Sequence, residues 1–326
     1  MVAESQIGRK DSEQRWGAWL RVPALADPKT RAYIWRNWSL YAMLAPTLIL
    51  LAIFAYYPMY GVVMAFQNYN PGLGFVRSPW VGLANFERLF ASPAFPRVIG
   101  NTLIIAVSKL VTGQIVAIAL ALLFNEIRHV SFKRTMQNLL YMPHFLSWVV
   151  LAGILMDILS PMGLAGKVQQ ALGMEPVIFL GSNFWFRPVL VITNLWKEAG
   201  WSMIIYLAAL LAIDPDLYEA AAIDGANRFQ RIRYVAIPGI MTTIILLACL
   251  NLGDVLQAGF EQVFNLYNPT VYETGDIIDT YVYRMGLVQA QFGVAAAAGL
   301  FKSAIGFVLI IISYRLADRY AGYRIF

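Results

Sequence analysis

The chain has one cysteine, Cys249, so it cannot close an internal disulfide. Cys249 sits in an apolar run and reads as a packing residue, not a redox or metal group. Charge is also scarce. Asp, Glu, Lys and Arg make up 13% of the 326 residues, whereas soluble domains carry about 25%. The two histidines, His129 and His144, have no matching carboxylates or thiols at ligand spacing, so no metal site is expected. No Gly-x4-Gly-Lys-Ser/Thr phosphate loop occurs. Low-complexity tracts and strong internal repeats are missing. Residues 1–37 are polar, without the short apolar run of a signal peptide. Together these absences exclude an ordinary soluble enzyme, a disulfide scaffold and a disordered chain.

What is present is apolar. Hydrophobic residues form 59% of the chain, above the roughly 45–50% of soluble domains. Six runs are long enough to cross about 30 Å of hydrocarbon. They cover Trp38–Phe66, Asn101–Phe124, Asn138–Leu159, Val189–Ile213, Ile240–Gln257 and Val294–Tyr314. The sequence therefore predicts an all-α membrane protein with six transmembrane helices. Pro46 and Pro58 are expected to bend or end the first of them. Residues 1–37 mix Trp and Arg and suit an amphipathic segment on the lipid surface, leaving 38–326 as the spanning domain.

The segments 1–37, 125–136, 214–238 and the C-terminal tail hold 16 Lys and Arg. The alternate segments 67–100, 161–188 and 258–293 hold 6. Cytoplasmic loops carry the excess of Lys and Arg, so both termini are expected in the cytoplasm. The net charge of +6 is then a property of those loops and does not call for a nucleic-acid partner.

Segment 214–238 has a sharp local code. Asp214 can cap a helix with Pro215 at its first position. Asp216 and Glu219 lie near the positive end of that helix. Gly225 permits a left-handed stop. Asn227 can cap a second short helix through Tyr234, and Pro238 keeps it from running straight on. The result is a rigid two-helix knob. In detail, Glu219-Ala220-Ala221 is followed after three residues by Gly225, within Asp224-Gly225-Ala226, and after nine more by Val235-Ala236-Ile237-Pro238.

This order resembles the EAA loop of importer-type ABC permeases, with Val235 and Ile237 where that family often has Ile and Leu. The resemblance extends over residues 38–326. Through Gly259–Pro269 and Asp279–Arg284 it is similar to the branch that imports oligo- and polysaccharides, in particular to permeases of bacterial alginate importers. The resemblance implies a type I importer permease fold in the bacterial inner membrane. It also implies a non-enzymatic subunit with no cofactor of its own, ATP and Mg being held by two partner ATPase subunits. A second homologous permease and a periplasmic binding protein complete the assembly. Glu219, Ala220, Ala221, Asp224, Gly225 and Pro238 would couple the permease to the ATPase.

Polar residues inside apolar spans are costly and invite a role. Lys197 and Glu198, beside Trp196 and Trp201, read either as a self-neutralising pair or as a wall of a sugar path. Trp rings stack on pyranose faces. Asn251, Asp254, Gln257 and Glu261 recur at three- and four-residue spacing. On one continuous helix they would share a face, which suits either interhelical hydrogen bonds or a substrate lining. Lys109 is expected to face a neighbouring helix, Asp157 to lie at an interface, and Lys302 to pair with an acid. Asp214-x-Asp216 weakly mimics a glycosyltransferase carboxylate pair, but helix capping suffices to explain it. An ion-driven transporter and a membrane-embedded glycosyltransferase are the competing classes. Both leave the 219–238 spacing unexplained.

Overall fold

The structure, a computed structural model, describes residues 28–253 and 255–321. Among these residues the regular structure is helical, apart from one isolated bridge between Gln67 and Trp80. The chain divides into two compact units, with the boundary after Gly61.

In the first unit, helix α1 covers Trp38–Leu51 and carries Pro46 without a break. It passes into a π turn, Ala52–Tyr56, just ahead of Pro58. Proline lacks an N–H and crowds the carbonyl four residues back, and a wider turn absorbs both defects.

The second unit starts at Val62. Helix α2, Ala94–Asn125, begins well before the expected Asn101. Helix α3 covers Val130–Tyr141, and helix α4 covers Trp148–Leu159. The expected single span Asn138–Leu159 is therefore two helices. A 3-10 turn, Met142–Phe145, separates them, with Pro143 inside it. Ser147 then restarts the chain as an N-cap, accepting from the Val150 N–H at 3.3 Å.

Helix α5, Phe186–Leu211, packs along α2. The 214–238 segment follows, with helix α6 over Pro215–Ile223 and helix α7 over Arg228–Arg231. Helix α8, Met241–Gly253, packs against helix α11, Phe292–Ala321. Between them lie the short helices α9, Phe260–Leu266, and α10, Ile278–Tyr283. Among the described residues, four helical runs pass the length and composition needed to cross a membrane. The count reaches six if each of two bent pairs is one span.

The fifth expected span, Ile240–Gln257, is cut short. Its helix stops at Gly253, and the chain from Val255 to Gly259 is not helical. Gly259 adopts φ of +90°, a left-handed conformation that a side chain would strain, and α9 starts behind it. Asn251, Gln257 and Glu261 therefore do not share one helical face. Asp254 lies outside the described residues.

Long-range polar ties hold the connections between α9 and α11 to α2, α5 and α11. The Asn101 side-chain amide donates to the carbonyls of Glu273 (3.1 Å) and Asp276 (3.0 Å). Arg187 donates to the Asn101 side chain and to the Thr274 carbonyl. Lys302 meets Asp279 at 2.6 Å, the acid expected for it.

Gly200 on α5 is a contact point with α3. An added Cβ would stand 2.3 Å from the Leu140 carbonyl oxygen, so the helices would have to separate. Gly200→Ala is expected to cost about 1–3 kcal/mol of stability, as overpacking does. A thermal melt in detergent, read by size-exclusion fluorescence, checks it; an unchanged midpoint would contradict this packing.

Candidate functional site

Two places collect the residues that the sequence singles out. The first is the 214–238 knob. The Asp214 carboxylate accepts from the Asp216 N–H at 3.0 Å and starts α6. At the other end, the Ala226 N–H reaches the Ala221 carbonyl (2.9 Å) and the Gly225 N–H reaches the Ala222 carbonyl (3.1 Å). With Gly225 at φ of +79°, this is the paired stop that left-handed glycine makes possible. Asn227 and Gln230 then form a reciprocal capping box, with bonds of 2.9 and 2.8 Å. The helical run continues through a π turn, Ile232–Ala236, and past Pro238 to Gly239, beyond the expected end at Tyr234. The first elbow bends the chain by 70° between α5 and α6, and the second by 58° before α8.

The knob is fastened to the bundle on one side and bare on the other. Tyr218 packs against a core of Ala117, Ala121, Phe124, Tyr206, Leu210 and Ala236. Burial pushes its phenol above the ordinary range, and Glu126 adds in the same direction. Glu219, Ala220, Asp224, Gly225 and Pro238 are exposed, and Ala221 is half-buried. Leu217, Ile223 and Phe229 are exposed alongside them. Apolar side chains around an acidic residue on a stiff projection suit insertion into a partner's groove.

The second place is a cavity of about 350 Å³ between α2, α5, α8 and the non-helical stretch after Gly253. Of the pathway residues expected from sequence, Glu198, Trp201, Asn251 and Gln257 line it. Lys197 and Glu261 do not. The cavity also takes in Lys109, Gln114, Asn194, Ser202 and Tyr206, which sequence reasoning had not assigned to it.

Lys197 and Glu198 are not simply each other's partners. Lys197 is buried, and its Nζ donates to the carbonyls of His144 (2.6 Å) and Leu146 (2.8 Å) in the break between α3 and α4. Glu198 pairs foremost with His144, Nδ1 to Oε2 at 2.8 Å, with Lys197 farther off at 3.7 Å. The His144 ring lies parallel to Trp201, centroids 4.6 Å apart and planes 2° apart. His144 therefore orients both Glu198 and Trp201 at the cavity wall. Its proximity to Glu198 depends on the path of the chain between α3 and α4, so sequence spacing does not reveal it.

Gln262 was missed as well. It is fully buried and bridges three elements: its carbonyl accepts from Lys109 Nζ, and its amide donates to the Leu190 carbonyl (2.8 Å) and Thr193 Oγ1 (2.7 Å). Its neighbours Glu261 and Asn265 are polar too, so the sequence did not single it out. Among the described residues no cluster of His, Cys, Asp and Glu could hold a metal ion.

A bundle of apolar helices, a half-open cavity with polar side chains set in its wall and a rigid knob between two bent spans fit the membrane permease class. Residues 109–322 match the family described as the binding-protein-dependent transport system inner membrane component. The chain belongs to that family. It is 44% identical over 282 residues to the polygalacturonan/rhamnogalacturonan transport system permease protein YteP of Bacillus subtilis (strain 168), covering 86% of this chain and 88% of that one. It is 41% identical over 286 residues to Protein LplB of the same strain, covering 87% and 90%. A solved bacterial ABC transporter involved in the import of the acidic polysaccharide alginate contains a chain of similar fold. That likeness has a TM-score of 0.83 and 41% identity, over 90% of this chain and 99% of the other. A further structure holds the bacterial alginate transporter with its alginate pentasaccharide-bound periplasmic protein, at 40% identity and TM-score 0.83.

Proposed function

We propose that this chain is one of two homologous permease subunits of an ATP-driven importer for uronate-containing oligosaccharides, alginate or a related acidic sugar. The observation that carries the coupling role is the knob. Its two helices are each started by a side-chain cap, at Asp214 and Asn227, Tyr218 anchors it to the bundle, and its outer face is bare. Such a part transmits displacement without deforming. It would sit in a groove of an ATPase subunit, with Glu219 offering a charge-assisted contact. Closure of two ATPases around ATP and Mg would carry both knobs and rock the spans between inward- and outward-open states. The excess of Lys and Arg in segments 1–37, 214–238 and the C-terminal tail supports a cytoplasmic side for both termini and for the knob, with lipid around the spans.

A periplasmic binding protein would deliver sugar to the opposite face. The cavity supplies the polar lining: Glu198, Asn194, Asn251 and Gln257 can bond hydroxyls, and Trp201 can stack on a ring. The acidic substrate class is supported by two relatives, one named for polygalacturonan and the other for alginate, both polymers rich in carboxylates.

The test is purification of the tagged chain from its native membranes in a detergent that preserves complexes. An ATPase should co-purify, and its hydrolysis should rise when binding protein loaded with a uronate oligosaccharide is added. Hydrolysis indifferent to uronate but raised by a neutral oligosaccharide would overturn the substrate class. Absence of any ATPase would overturn the coupling role.

A further inference from the structure

We propose that Lys109 reads the carboxylate of the transported sugar, which makes it a specificity-determining residue of the cavity. This inference rests on the uronate importer reading above. Lys109 projects from α2 into the cavity wall, where only 8% of its surface is exposed. None of the ion pairs among the described residues includes it. Its Nζ donates to the Ala258 carbonyl and to the Gln262 side-chain carbonyl, at 2.6 and 2.5 Å. An ammonium carries three N–H donors, so one remains.

The neighbouring wall sets no side chain over that ammonium at Gly259. Gly259 lines the same cavity, and a Cβ there would stand 2.9 Å from Lys109 Nζ. The left-handed glycine thus brings the chain past the ammonium without placing a side chain on it. Lys109 and Glu198 are the charged groups among the described lining residues. Glu198 is already engaged by His144 and Lys197. A buried cation bonded to two carbonyls, with the Glu198 charge acting on it from the same cavity without a direct ion pair, is costly in a low-dielectric site and gains from a mobile anion. A sugar carboxylate entering the cavity supplies that anion, and a neutral sugar does not.

The competing role is purely structural, with Lys109 as the prop that ties α2 to the unwound stretch. The two roles separate by comparing a charged sugar with its neutral twin. The assembled complex in nanodiscs would be titrated with mannuronate and galacturonate trisaccharides, each beside its methyl ester. Wild type should bind the better acid about tenfold or more tightly than its ester, about 1.4 kcal/mol. In Lys109→Met that preference should vanish while ester affinity stays near wild type, and Lys109→Arg should keep most of it. Where Lys109→Met does not assemble, Lys109→Gln is read by the same ratio. Preference surviving in the neutral variant, or acid and ester weakening together, overturns the proposal. Wild type binding both forms alike overturns it too, while leaving the importer reading in place. Wild type binding neither sugar in either form removes the uronate reading itself.

Discussion

Gly225→Asp is expected to reduce sugar uptake by about tenfold or more, a loss of at least about 1.4 kcal/mol in coupling, while the protein still reaches the membrane. Gly225 closes α6 at φ of +79°, where L residues cost about 1–2 kcal/mol. Sterics within this chain are not the cause. A Cβ at Gly225 meets nothing within 4 Å. Such a side chain points into open space on the bare face of the knob, where the ATPase groove would close. The aspartate then adds a second charge beside Asp224 at that interface. Asn tolerates left-handed backbone better than Ala does, so the pair Gly225→Asn and Gly225→Ala separates strain from interface crowding. Milder loss in Asn assigns the effect to backbone; equal loss assigns it to the interface. Uptake in cells, normalised to membrane abundance by immunoblot, is the measurement. Wild-type uptake by Gly225→Asp would end the coupling role.

Lys197→Met is expected to be strongly destabilising, although Lys197 stands behind the cavity wall and not in it. Lys197 Nζ satisfies two carbonyls in the break between α3 and α4 and so ties that break to α5, beside the His144–Glu198 bond. A fully buried acceptor left without a donor costs about 1–3 kcal/mol, and these two are part-buried. Glu198 would also lose a cation at 3.7 Å. The expected result is a large drop in midpoint by size-exclusion thermal melt, or loss of the monodisperse peak. Glu198→Gln should be much milder, since it leaves both carbonyl bonds of Lys197 in place. Equal effects of the two variants would mean that the ion pair, and not the carbonyl bonds, is the structural unit.

Much of this architecture is legible in sequence because its causes are local. Apolar runs of spanning length follow from composition. The start of α6 at Asp214, its stop at Gly225 and the restart at Asn227 each involve residues a few positions apart, and each occurs as expected. The pairing of Lys302 with an acid also followed, because an ammonium in an apolar span needs one. The resemblance carried by the Glu219–Pro238 spacing agreed with the family to which the chain belongs.

The cavity was not legible in the same way. The stripe from Asn251 to Glu261 presumed a continuous helix, and the helix stops at Gly253. Unwinding frees backbone carbonyls that must find donors inside the membrane. The donor for Ala258 is Lys109, 149 positions away. Likewise the partner that orients Glu198 is His144, brought near by the broken path between α3 and α4. By itself, then, the sequence determined the helices, the caps and the knob, because those energies arise between near neighbours in the chain. The tertiary structure decided where the fifth span opens, which polar residues face the cavity and which cation stands in its wall. Those outcomes turn on whether a distant side chain arrives to satisfy a freed carbonyl or a buried charge.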